Sequence, residues 1–110
     1  MVFRDFSKEA RSEANKKAVK GFTKQIKSEY PVVWDVYGVF DSLIVFYCSD
    51  NEIEENRKSG VTEAIQNRYY EAVKQFDEMN YFTRGKLEIK FDSKENLDKN
   101  FDGSLYNYIH

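Results

Sequence analysis

The sequence predicts an α+β domain with two main helices on one face of a roughly four-stranded, mostly antiparallel sheet, in the order α-β-β-α-β-β. Three observations lead there. Residues 8–28 and 61–79 repeat apolar side chains at helical spacing, four other segments are β-branched, aromatic or alternating, and 110 residues suffice for one domain only. The whole chain, 1–110, is therefore read as a single domain.

Lys8 to Ser28 reads as a long helix with Ser7 as its cap. Ala10, Ala14, Ala18, Val19, Phe22 and Ile26 form its apolar stripe. The alanines bury little area, so the first half is expected to fray or project. Tyr30-Pro31 ends the helix, because a residue before proline avoids the α region. Val32 to Val39 reads as a strand, and after the break Phe40-Asp41-Ser42, Leu43 to Cys48 reads as a second. The two form a hairpin, and the second strand, without polar alternation, belongs at the centre of the sheet.

Ser49 or Asp50 is placed to cap a short helical turn that Gly60 terminates. Val61 to Met79 is the clearest helix, through Val61, Ile65, Tyr69, Ala72, Val73 and Phe76, with Asn80 as its stop. Lys86 to Phe91 alternates as a half-buried strand after Gly85. A polar connection follows, with one helical turn at Lys94 to Lys99. Leu105 to Ile109 alternates again and is expected to be a last strand, with Tyr106 and Tyr108 on one of its faces.

Composition excludes several function classes. The longest apolar run is the six residues Leu43 to Cys48, far short of the ~20 that span a membrane. Met-Val-Phe-Arg-Asp-Phe lacks the apolar core of a secretion signal, so the expected location is cytoplasmic. One cysteine, Cys48, rules out an internal disulfide and a thiolate zinc cage, and at the end of an apolar strand it is expected to be buried and structural. The one histidine, His110, leaves that thiol without an evident base.

Asp98-Lys99-Asn100-Phe101-Asp102-Gly103-Ser104-Leu105 matches the opening of an EF-hand loop. The twelfth position is Ile109 instead of a bidentate glutamate, so the segment is read as a polar turn into the last strand. Adjacent acids such as Glu54-Glu55 and Asp77-Glu78 do not face each other on a helix and mark no acid–base pair. The sequence thus implies neither metal nor cofactor nor enzyme.

Charge is segregated. Residues 1–27 carry eight basic and three acidic side chains, +5, and the rest carry nine and sixteen, −7, giving the total of −2. Aromatic content is 16%, and several tyrosines fall outside the apolar periodicity. Such a surface suits a protein partner of opposite charge, because tyrosine contributes large contact area at low entropic cost. The candidate docking residues are Asp50, Glu52, Glu54 and Glu55, then Tyr70, Asp77 and Glu78, then Asp92, Glu95, Asp98, Asp102, Tyr106 and Tyr108. The alternative is a nucleic-acid-binding or regulatory adaptor that uses the basic first helix, through Lys16, Lys17, Lys20, Lys24 and Lys27. The negative total argues against direct nucleic-acid binding.

Over the early helix and most of residues 30–109 the chain resembles bacterial immunity proteins of polymorphic-toxin and contact-dependent growth inhibition systems. The resemblance lies in the early helix, the Trp34-Asp35-Val36-Tyr37 to Leu43-Ile44-Val45-Phe46-Tyr47 hairpin, the Arg68-Tyr69-Tyr70 helix and the tail Phe91-Asp92-Ser93-Lys94-Glu95-Asn96. It implies a non-enzymatic cytoplasmic inhibitor that binds one cognate toxin domain, in this case a basic nuclease, and occludes its active site.

Overall fold

Val32 to Tyr47 is rich in β-branched and aromatic residues, and it folds as the expected hairpin. In the computed structural model, which describes residues 7–77 and 88–110, β1 (Val33–Val39) pairs antiparallel with β2 (Ser42–Tyr47). The third strand, β3 (Glu88–Ser93), lies on the other side of β2 and runs parallel to it, from Ser42↔Glu88 to Tyr47↔Ser93. The sheet is thus mixed, with order β1-β2-β3. A parallel neighbour needs a crossover, and α2 (Asp50–Ser59) and α3 (Val61–Lys74) belong to that connection. The central place expected for β2 is correct, and Leu43 to Tyr47 are all buried.

Helices cover both faces of the sheet. On one side α1 (Ser7–Glu29) and α3 pack Ala14, Ala18, Phe22, Ile26, Ile65, Tyr69 and Val73 against Val33, Val36, Leu43, Val45 and Tyr47. On the other, α4 (Lys94–Phe101) and α5 (Leu105–Ile109) bring Leu97, Phe101, Leu105 and Tyr108 onto Ile44, Phe46, Trp34, Tyr37 and Val39. This corrects three expectations. The described residues contain three strands, not four. The sheet is mixed, and the helices are not confined to one face. The expected last strand is α5: Ser104 accepts a hydrogen bond from the Asn107 backbone N–H (3.2 Å), and Leu105 and Tyr108 meet the core at helical spacing of three. Five residues of alternation fit both periods, and the cap decides between them. The single turn expected at Lys94 to Lys99 is the eight-residue α4, capped by Ser93.

The first half of α1 does not project. Ala14 and Ala18 are buried, because small side chains let the helix approach β1 closely. A Cβ built on Gly38 would stand 3.2 Å from Asn15 Nδ2 and 3.5 Å from Val19 Cγ1. A register shift between Val33 and Asp35 marks a β-bulge, which lets Val33 and Val36, an odd number apart, face the same layer. The crossover begins at α2, whose cap, Ser49, donates its backbone N–H to Glu52 Oε1 (2.8 Å). Gly60 (φ 89) closes α2 as expected. The helix begun at Val61 ends at Lys74 instead of continuing, so Phe76 sits in a turn, 43% exposed, and not on the apolar stripe. Met79, Asn80, Gly85, Lys86 and Leu87 lie outside the described residues. Cys48 follows β2 and is exposed, not buried. The segment 98–105 joins two helices through Asp102 (φ 54) and Gly103 (φ 71), and it enters no strand.

The hairpin tip is strained. Phe40 has φ 55 and is 73% exposed. Asn15 Nδ2 donates to Phe40 O (3.0 Å) and Ser42 O (2.7 Å), and Arg11 pairs with Asp41 at 3.1 Å. A left-handed non-glycine residue costs about 1–2 kcal/mol, whereas glycine adds about 0.5–1 kcal/mol of entropy to the unfolded chain. Both Phe40→Gly and Phe40→Ala remove the ring, but only glycine relieves the φ, so Phe40→Gly is expected to be more stable than Phe40→Ala by up to ~1 kcal/mol; urea unfolding of both variants checks this.

Candidate docking surface

Because β2 and β3 run parallel, their C-terminal ends lie side by side, and so do the helix N-termini that follow them. Three contacts tie these ends together. The Asp50 backbone N–H donates to Glu95 Oε1 (2.9 Å), Ser93 Oγ donates to Asp50 Oδ1, and the Glu95 backbone N–H donates to Cys48 O (3.2 Å). Two of the three acidic segments singled out in the sequence, 50–55 and 92–98, therefore share one end of the molecule.

Many of these acids also serve the fold. Glu52 completes the capping box of α2. Asp92 accepts from the Ser93 N–H (2.8 Å), from Asn96 Nδ2 (3.1 Å) and from the Tyr108 hydroxyl (2.6 Å). Burial first, then this contact with Asp92, pushes the Tyr108 hydroxyl well above the ordinary tyrosine range. Lys90 lies over the same ring, 4.7 Å from its centroid. Asp98 pairs with Lys94, whose ammonium also stands 5.2 Å from the Trp34 ring centroid. Carboxylates at the first turn of a helix are favoured by its dipole, which explains Asp50, Glu52 and Glu95 without any partner. Further along α2, Arg57 donates two hydrogen bonds to Glu54 (2.7 and 2.6 Å) and lowers its carboxyl pKa. Glu55 is exposed.

The remaining candidates are not all drawn in. Tyr70 and Asp77 lie on α3 and in the turn after it. Lys74 stands 5.9 Å from the Tyr70 ring centroid and 3.3 Å from Asp77, which is buried. Glu78 is outside the described residues. Asp102 is exposed at the turn between α4 and α5. Tyr106 and Tyr108 do not share a face: two positions apart on a helix point roughly 200° apart. Tyr106 is 71% exposed and packs on His110, whereas Tyr108 packs inward on Phe46 and Phe101.

Among the described residues, no three His, Cys, Asp or Glu side chains are placed to hold a metal ion. No helix among them is long and apolar enough to cross a membrane. Open clefts lie among the described residues. One, about 700 Å³, runs between α1 and the hairpin tip, with Glu13, Lys16, Val19, Gly38 and Phe40 in its walls. The other, about 220 Å³, lies between the sheet and α5, beside Lys90 and Tyr108. Asn15, Arg11 and Phe40 escaped the sequence reading. A buried asparagine on an alanine stripe gives no periodic signal, but a large apolar residue in a two-residue turn does.

No family model, curated protein or solved structure matches this chain.

Proposed function

We propose that the chain is a non-enzymatic immunity protein that docks on a basic toxin domain, in particular a nuclease, and covers its active site. The observation that carries this reading is α2. It holds Asp50, Glu52, Glu54 and Glu55 in its first six residues, none of its residues is buried, and its N-terminus adjoins Glu95 on α4. A helix that contributes so little to the core is available for another surface, and its charge suits a phosphate-binding protein, which is basic for its own substrate. If a secreted protein is encoded beside this chain, it is the partner this reading requires.

The test is growth rescue by co-expression with the C-terminal domain of that secreted protein, together with calorimetric titration of the purified pair. The variant Glu54→Lys/Glu55→Lys, which alters exposed side chains only, is expected to weaken binding by about 2–5 kcal/mol if either charge is desolvated. Rim charges would instead slow association. Unchanged affinity and unchanged association rate would remove α2 from the interface.

A second reading is supported by the outer side of α1. Lys16, Lys17, Lys20 and Lys24 are exposed and form no ion pair among the described residues. Binding of duplex DNA through four lysines would fall with salt at a log–log slope near about −3.6. A flat response excludes it.

A further inference from the structure

Residues 14–28 of α1 carry five lysines and no acid. Lys16, Lys17, Lys20 and Lys24 are exposed. They lie within roughly 100° of the helix circumference and extend for about 12 Å, on the side away from the buried Ala14, Ala18, Phe22 and Ile26. Helix stability does not explain this face. Lys16/Lys20, Lys17/Lys20 and Lys20/Lys24 are like-charge neighbours three or four residues apart, and each such pair weakens a helix. The helix dipole does not offset them, because they precede the last turn.

Gly21 runs against helix stability at the same place. A Cβ built on it would meet nothing within 4 Å, so no packing inside the chain calls for glycine. Only proline is a poorer helix former. Lys17 and Lys24, four residues before and three after, are its neighbours on the helix surface, and Lys20 adjoins it in sequence. The result is a shallow notch of bare backbone flanked by lysines, which a bulky anion can approach closely.

The other exposed side chains set the kind of anion. Between Lys16 and Ser28 the exposed residues are the lysines, Gly21, Gln25 and Ser28. There is no aromatic ring for an unpaired base to stack on, as single-strand binding requires. There is no arginine to grip a base edge, and Gln25 lies about 100° around the helix from Lys24. Lysine ammoniums are point charges, suited to phosphates and indifferent to base identity. A straight, rigid row of them matches a straight rod of phosphates, the duplex, with one charge per about 1.7 Å of axis. The net charge of −2 does not oppose contact at this face, since salt near 0.1 M screens exposed charges beyond about 10 Å.

We infer that α1 holds the phosphate backbone of a nucleic-acid duplex, blind to base sequence, with one strand seated at Gly21 between Lys17 and Lys24. This rests on the second reading above and is independent of toxin docking, since none of these residues belongs to α2 or α4.

Fluorescence anisotropy of short labelled duplexes, titrated with the full chain, tests this. Two duplexes of unrelated sequence are expected to bind equally and the single strand more weakly. Phosphatidylserine vesicles are expected not to compete at equal phosphate concentration. Lys20→Gln is expected to reduce the steepness of the log–log salt slope by about 0.9. Gly21→Gln fills the notch with an uncharged, helix-favouring side chain. It is expected to raise the unfolding midpoint and yet weaken duplex binding about fivefold or more. If the duplex binds with the expected salt slope but Gly21→Gln binds it as tightly as the wild type, the seat at Gly21 is overturned and the second reading stands. Preference for one sequence, for the single strand or for the vesicles also overturns the inference. Absence of any salt-dependent duplex binding removes it together with the second reading.

Discussion

Asn15→Leu is expected to cost about 3 kcal/mol or more in urea unfolding, although it places an apolar side chain of similar size in a 1%-exposed site. Both Nδ2 hydrogens are used, on Phe40 O and Ser42 O, and Oδ1 accepts from the Tyr69 hydroxyl, itself buried. Leucine would leave these partners without a donor or acceptor, at ~1–3 kcal/mol for each group that water cannot reach. Tyr69→Phe removes only one bond and strands one acceptor, so it is expected to cost about 1–3 kcal/mol. Because the two side chains share an interaction, the double variant should lose less than the sum of the singles.

The same pair sets an alkaline limit. Burial holds the Tyr69 hydroxyl well above its ordinary value, as it does Tyr108. The folded state therefore keeps those protons when the unfolded chain loses them. The sign follows: the contribution is fully present below about pH 10 and falls as pH rises above it. Tyr69→Phe should flatten part of that decline, and the rest should persist through Tyr108 and the other tyrosines that burial raises, Tyr47 and Tyr37.

Phe46→Ala is expected to cost about 3–5 kcal/mol, as large aromatic deletions in closed cores do. Phe46 is fully buried at the centre of the second layer, with ring centroids 6.0 Å from Trp34, 6.0 Å from Tyr37 and 5.3 Å from Tyr108, all edge-on. Trp34 is the only tryptophan in the chain, so its fluorescence reports this layer alone. The expected result is a red-shifted Trp34 emission together with a lower unfolding midpoint. Val45→Ala, on the opposite face, should lower the midpoint with little change in emission. If both variants shift Trp34 equally, the two layers are not separate.

The first helix, the hairpin and the closure at Gly60 were legible in the sequence because each carries a local signal: a stripe, a β-branched run, a glycine that can take φ 89. The central place of β2 was legible from its lack of alternation. That same lack of alternation implied cover on both faces, and the cover was missed because Leu105 to Ile109 reads equally well with period two. The parallel pairing of β3 is non-local and leaves no trace in either strand's composition. At the candidate site, the sequence placed the acids but not their partners. Asp50 meeting Glu95 is a consequence of that parallel pairing, and Asp92 meets Tyr108 because α4 and α5 fold back onto β3. Much of what reads as a charged surface in one dimension is therefore helix capping in three.

Parallel pairing also orders events in time. The hairpin closes over a two-residue turn, whereas Ser42 must find Glu88 across a loop of more than forty residues. On a ribosome, Ile44 and Phe46 would emerge early and wait, uncovered, until residues 94–109 have left the exit tunnel. During that interval the nascent chain offers a sticky sheet face to chaperones, and α4 and α5 are the lid that later removes it.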